Sequence, residues 1–167
     1  MPDLERRDQI DIASDFNGMA IVAMMGHYLG SFERSLFDIP RTHKLTHLRY
    51  GEFHEVHKGI ITRSWLLVDF LDLMRQANCS PIAPPLGFEG VWASPATQTG
   101  LLLESIDPLR SAKSLDTVGV MHRALLSFNG CRLDSMDHTK FWTSHFMWYG
   151  PAGIGTTRGM EGFRAHH

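Results

Sequence analysis

The sequence predicts an α+β protein built on a curved antiparallel sheet, a cone-like half-barrel covered by helices. Three observations predict it. Residues 6–70 alternate polar and apolar side chains between turn signals, which is the two-residue period of strands. Residues 78–113 are rich in Pro and Gly. After residue 114 the apolar residues recur at helical spacing instead.

Taken in order, residues 7–13 alternate and lead into Asn17-Gly18, a strong two-residue hairpin signal. Residues 19–30 are more continuously apolar, as a central strand would be. Residues 31–44 contain Pro40 and read as a loop or edge excursion. Residues 44–56 form a third strand, His57-Lys58-Gly59 a tight turn and residues 60–70 a fourth strand. A short helix over 71–77 closes this part. Long strands joined by tight turns make a meander, which curls readily into an open half-barrel.

Between Asn78 and Gly100 stand four Pro and three Gly. Phe88, Val91 and Trp92 give the segment something to pack with, but a connection this long is unusual inside one domain. It argues for a boundary. Ser114 is an N-cap for a helix with Leu115, Val118, Met121, Leu125 and Phe128 along one side, ended by Asn129-Gly130. A second short helix is expected over 133–143 with Leu133, Met136 and Phe141, then a strand stopped by Gly150-Pro151. A glycine-rich loop follows, and a last helix starts near Met160 and reaches His166-His167.

The bulk numbers bound the function. The chain has 167 residues, 43% hydrophobic and 20% charged, enough for a core and against wholesale disorder. A net charge of -2 gives no electrostatic case for nucleic acid. Ten His make the real charge depend on pH between about 5 and 7. Cys79 and Cys131 have no metal-ligand spacing and read as reduced thiols. No apolar run approaches the roughly 18 residues of a membrane span. The N-terminal residues do not read as a signal sequence, so the expected location is the cytoplasm.

Residues 26–76 resemble the SnoaL-like polyketide cyclase group of the nuclear transport factor 2-like superfamily. The resemblance rests on Gly26-His27-Tyr28-Leu29-Gly30, Asp38-Ile39-Pro40, the strand ending at Phe53, the His57-Lys58-Gly59-Ile60 turn and the run from Trp65 through Asp69 to Gln76. Residues 133–163 resemble the opposite end of such a domain, with Trp148-Tyr149-Gly150-Pro151 and Arg158-Gly159. The elements stand in permuted order. Residues 1–77 match the C-terminal meander part, 78–113 a linker, and 114–167 the N-terminal part with helices, first strand and start of the long helix. A fragment of two tandem domains explains this order, and is preferred because both ends fall near the same place in the family pattern. A circularly permuted single domain is the alternative. The resemblance implies an apolar conical pocket, no cofactor and no metal.

Asp69 is the leading candidate for chemistry. Strand parity groups it with Ile61, Arg63, Trp65 and Leu67, where desolvation would raise the pKa of a carboxylate and suit it to acid/base work on a carbonyl compound. The resemblance implies the acid/base of an intramolecular aldol closure. Asp69 also fits the N-cap of the helix over 71–77, and the two roles are compatible. His27 is the expected assistant, while Asp72 reads as solvated. Tyr28, Trp65, Trp142, Trp148, Tyr149 and Arg158 are the candidate ligand contacts. His43, His47, His54 and His57 read as surface imidazoles rather than metal ligands. The expected function is a cofactor-independent cyclase or isomerase acting on a small apolar or aromatic carbonyl ligand. A noncatalytic binding or scaffolding domain of the same fold is the rival. A homodimer is expected, without nucleic acid or membrane as a partner.

Overall fold

In a computed structural model, residues 1–95, 100, 105, 107–136 and 140–165 are described, and the chain divides into two compact units. The first holds residues 1–95, 100 and 149–156, and the second holds 105, 107–136, 140–148 and 157–165. The fold is of the α+β class.

The first unit is a four-stranded antiparallel meander: β1 (Glu5–Phe16), β2 (Met19–Ser31), β3 (Leu45–His57) and β4 (Ile60–Val68). Neighbours in space follow sequence order, so the sheet is open and does not close into a barrel. Asn17 and Gly18 have φ of 53° and 78°, and Lys58 and Gly59 have 50° and 77°. Two successive left-handed residues make the turn whose twist matches that of the flanking strands. Asp15 Oδ1 fastens the first turn by accepting the Gly18 N–H at 2.9 Å. At Gly26 any Cβ would collide with the Arg7 carbonyl oxygen, so β1 and β2 approach closely there.

Register decides which side chains meet. Arg7 and Arg49 flank His27, Ile12 and Phe53 flank Ala23, and Trp65 lies beyond Phe53. One face therefore carries His27, Arg49, Phe53, Trp65 and Leu67, and the other carries Arg6, Tyr28, Glu52, His54 and Ser64. Arg63, Trp65 and Leu67 share a face as strand parity predicts. Ile61 does not, because a register shift between Glu55 and Val56 pairs it with Val56 on the other side.

After β4 the chain turns into α1 (Phe70–Gln76), which packs on β3. Here the buried core forms from Phe32, Ile39 and Leu73, flanked by Leu48, Phe70 and Met74. The excursion over 31–44 thus supplies core: Leu36 and Ile39 bridge in a tight turn that drives Ile39 inside. Part of the Pro-rich segment is also pinned. Phe88 and Thr156 exchange backbone hydrogen bonds at 2.9 and 2.8 Å.

In the second unit, α2 (Pro108–Leu126) begins six residues before Ser114. Asp107 is the N-cap, its carboxylate accepting the Leu109 N–H at 2.9 Å, and Pro108 occupies the first turn, where its missing N–H costs nothing. A 3-10 turn, Leu133–Met136, stands at the start of the second predicted helix, and residues 137–139 lie outside the described ones. The short strands β5 (Met147–Tyr149) and β6 (Thr156–Arg158), whose residues fall partly in the first unit and partly in the second, make a separate two-stranded sheet. The last helix is α3 (Gly159–Ala165), and His166-His167 lies outside the described residues.

Candidate functional site

The end of the sheet where β4 becomes α1 gathers charge. Asp69 caps α1: its Oδ1 accepts the Asp72 N–H at 3.0 Å. Its Oδ2 accepts from Arg49 Nη2 at 2.6 Å and from the Ala152 N–H at 3.0 Å. Sequence alone offers the cap and the acid/base role as compatible; the structure gives Asp69 the cap and a guanidinium partner at once.

Asp72 is not solvated, as its helical position predicted, but fully buried. Its Oδ1 accepts from Arg75 Nε and Nη2 at 3.0 and 2.8 Å, and its Oδ2 from Gln76 Nε2 at 3.0 Å. His47 Nε2 stands 2.9 Å from Oδ2 at ion-pair distance, and Arg49 Nε lies 3.6 Å away. Burial works to raise the Asp72 pKa. The contacts with His47, Arg49 and Arg75 outweigh it, and the net shift is downward. Arg75 also pairs with Glu89 of the Pro-rich segment.

Arg49 was not singled out by sequence, yet it joins these groups. Its side chain is fully buried, lies between two carboxylates, and leaves Nη1 without a hydrogen-bond partner among the described residues. Its Cζ stands 5.3 Å from the centre of the Trp92 ring. Trp92 meets Tyr149 edge-on at 5.8 Å, and the Tyr149 hydroxyl donates to the Ala93 carbonyl at 2.9 Å. Burial pushes the Tyr149 phenol up. These groups line a cavity of about 530 Å³, together with Met25, Leu67 and Asp69. The signals for the missed residues are faint: Trp92 is one of two large aromatics amid prolines, with Phe88, and Arg49 is a charged residue in the middle of a strand.

His27 is buried on the same face as Arg49, with its ring edge-on to His47 at 6.4 Å and its Nδ1 unpartnered among the described residues. Burial, then the neighbouring His47 and Arg7, lower its pKa. What holds Asp69 is Arg49 rather than His27. Trp65 is half-exposed on β4, with Arg63 over its ring at 5.6 Å, outside the cavity lining. Tyr28 belongs to the opposite face, where its hydroxyl donates to Glu52 at 2.7 Å.

Trp142, Trp148 and Arg158 belong to the second unit. There Trp142 stacks on Trp148 at 6.3 Å and meets Phe146 and Phe163 edge-on at 4.3 and 5.4 Å. Arg158 borders a separate groove with Trp142, His145 and Glu161. The predicted site residues thus fall in several places, with Asp69 and Tyr149 brought to one cavity. Among the described residues, no three His, Cys, Asp or Glu side chains are placed to hold a metal ion. His43 pairs with Glu33, His47 with Asp72 and His54 with Glu52. Comparison with protein-family models, with curated proteins and with solved structures finds no match to this chain.

Proposed function

We propose that this chain is a small-molecule-binding protein of the SnoaL-like, nuclear transport factor 2-like kind, with its ligand in the cavity over Arg49 and Asp69. The observation that carries this reading is the cavity's composition. Its volume suits a ligand of a few rings, and apolar and aromatic walls surround a few fixed polar groups. Trp92 and Tyr149 favour a flat ligand, and the Arg49–Asp69 pair at the border of the cavity favours one with a carbonyl oxygen. Two carboxylates already face Arg49, so a neutral acceptor suits it better than an anion. Both Asp69 oxygens are engaged, which favours holding Arg49 and capping α1 over moving a proton.

The second reading is the cofactor-independent enzyme, a cyclase- or isomerase-type activity, favoured because Asp69 itself borders the cavity. Two measurements separate the readings. A fluorescence titration with 2-acetylnaphthalene should show saturable binding, weakened about tenfold in W92A by loss of one aromatic wall. No saturable binding, or binding that W92A leaves unchanged, counts against the pocket. Proton NMR in D2O with 1-phenylbutane-1,3-dione then reads out acid/base chemistry. Exchange at the carbon between the carbonyls that the protein accelerates, and D69N does not, would establish the enzyme.

A further inference from the structure

On the opposite face of the sheet, three side chains make a continuous hydrogen-bonded chain that the cavity does not use. The Ser64 hydroxyl lies 2.8 Å from His54 Nδ1, and His54 Nε2 lies 3.0 Å from Glu52 Oε2. His54 and Ser64 are direct cross-strand partners on β3 and β4, and Glu52 is two residues back on the same face. Ser64 is exposed, while the Glu52 side chain is largely buried.

Glu52 is fixed from three sides. Its Oε1 accepts from the Tyr28 hydroxyl at 2.7 Å, and its Oε2 from Arg6 Nη1 at 2.8 Å as well as facing His54. Burial works to raise its pKa, but these hydrogen bonds outweigh it and the carboxyl is held below its usual value. An ionised Glu52 accepts the Nε2 proton, which leaves Nδ1 as the free base facing Ser64. Arg6 also pairs with Asp8, whose carboxylate accepts from the Tyr50 hydroxyl.

The backbone adds a fourth group. The Asp69 N–H donates to the Arg49 carbonyl at 3.0 Å, so these two residues are a hydrogen-bonded pair. The register runs unbroken from there to Arg63 opposite Glu55, and hydrogen-bonded pairs alternate with open ones. His54 and Ser64 are therefore an open pair, the kind that brings side chains closest. The Ser64 N–H points away from β3, to the outer edge of β4. Among the described residues that edge has no strand beside it.

We propose that Ser64, His54 and Glu52 are nucleophile, base and positioning residue of an acyl-transfer site for small esters. The ring nitrogens exchange the roles they have in the familiar Ser-His-Asp arrangement, but one still takes the proton and the other is still held by a carboxylate. His54 Nδ1 takes the Ser64 proton as Oγ bonds to the ester carbonyl carbon, and the oxyanion receives the Ser64 N–H. The carbon–oxygen bond to the alcohol then breaks, and His54 returns the proton to the departing oxygen. Water attacks the acyl-serine, gives its proton to His54, and releases the carboxylic acid as Oγ regains a proton. Leu66, exposed and two residues along the same face, seats the acyl group.

The test is labelling of the full chain with a fluorophosphonate, with peptide mapping, beside p-nitrophenyl acetate hydrolysis. The expected result is one label per chain on Ser64 and a matching burst of p-nitrophenolate. S64A should lose both with an unchanged circular dichroism spectrum. H54N should slow both by at least about 100-fold. E52Q should lower kcat without moving KM, with part of the rate restored in E52D. No labelling, labelling elsewhere, or labelling of H54N at the unmodified rate would overturn the proposal. None of these outcomes bears on the Arg49 cavity, which lies on the other face.

Discussion

At the scale of single residues, the sequence marked Asp69 and His27 because a charge or an imidazole in an apolar strand demands an explanation. It passes over Arg49 and gives Asp72 as solvated, because their importance comes from neighbours brought in by register and by α1. Arg49 is legible only once β3 is paired with β2 and β4, and Asp72 only once α1 lies on β3. His27 yields a prediction with a definite sign. Its folded pKa lies below the ordinary 6.5, with burial as the first cause. The fold therefore prefers the neutral ring. The stability this contributes is fully present above about 6.5 and is lost as pH falls through the lower folded value. Urea midpoints of the unmodified protein should fall between pH 7.5 and 5, and H27F should remove part of that fall. An equal fall in H27F would place the titration elsewhere.

Secondary-structure elements were more legible than the contacts between them. The hairpins announce themselves because period-two alternation and an Asn-Gly or Lys-Gly pair are local properties, and the left-handed φ values follow from them. The start of α2 was misplaced for a local reason too. Asp107-Pro108 is a good helix opening, but it stands at the end of a Pro-rich stretch, where composition does not distinguish its proline from those of the linker. The parity of β4 failed at Ile61 because a register shift leaves no mark in the alternation itself. Two glycines test these elements. At Gly18 nothing among the described residues stands near a new Cβ, so G18A costs only the left-handed φ, about 1 kcal/mol. At Gly26 a Cβ meets the Arg7 carbonyl, so β1 must move away from β2. Chemical denaturation should therefore find G26A markedly less stable than G18A. Equal losses would mean that β1 and β2 leave room for a methyl group at Gly26.

At the scale of the whole molecule, the sheet raises a question that neither periodicity nor turn chemistry answers: what meets its apolar face. The register aligns Ile12, Ala23, Phe53 and Trp65 in one row, with Leu67 in the next. Ile12, Phe53, Trp65 and Leu67 are all at least 46% exposed. A monomer seldom leaves so continuous a set of large apolar side chains in water. A second copy placing the same face against it would cover both by a two-fold contact. This leaves the Ser64 face and the outer edge of β4 free. Light scattering at high micromolar concentration should give twice the chain mass of 18.9 kDa, and F53K/W65K should return the protein to one chain. A stable single-chain mass for the unmodified protein would sink the dimer. Crosslinks from Met121 or Leu125 to the meander of that same chain would then identify the cover as α2, in a permuted monomer. Crosslinks absent from such a monomer would mean that the face tolerates water, and that burial is a poorer guide here than register.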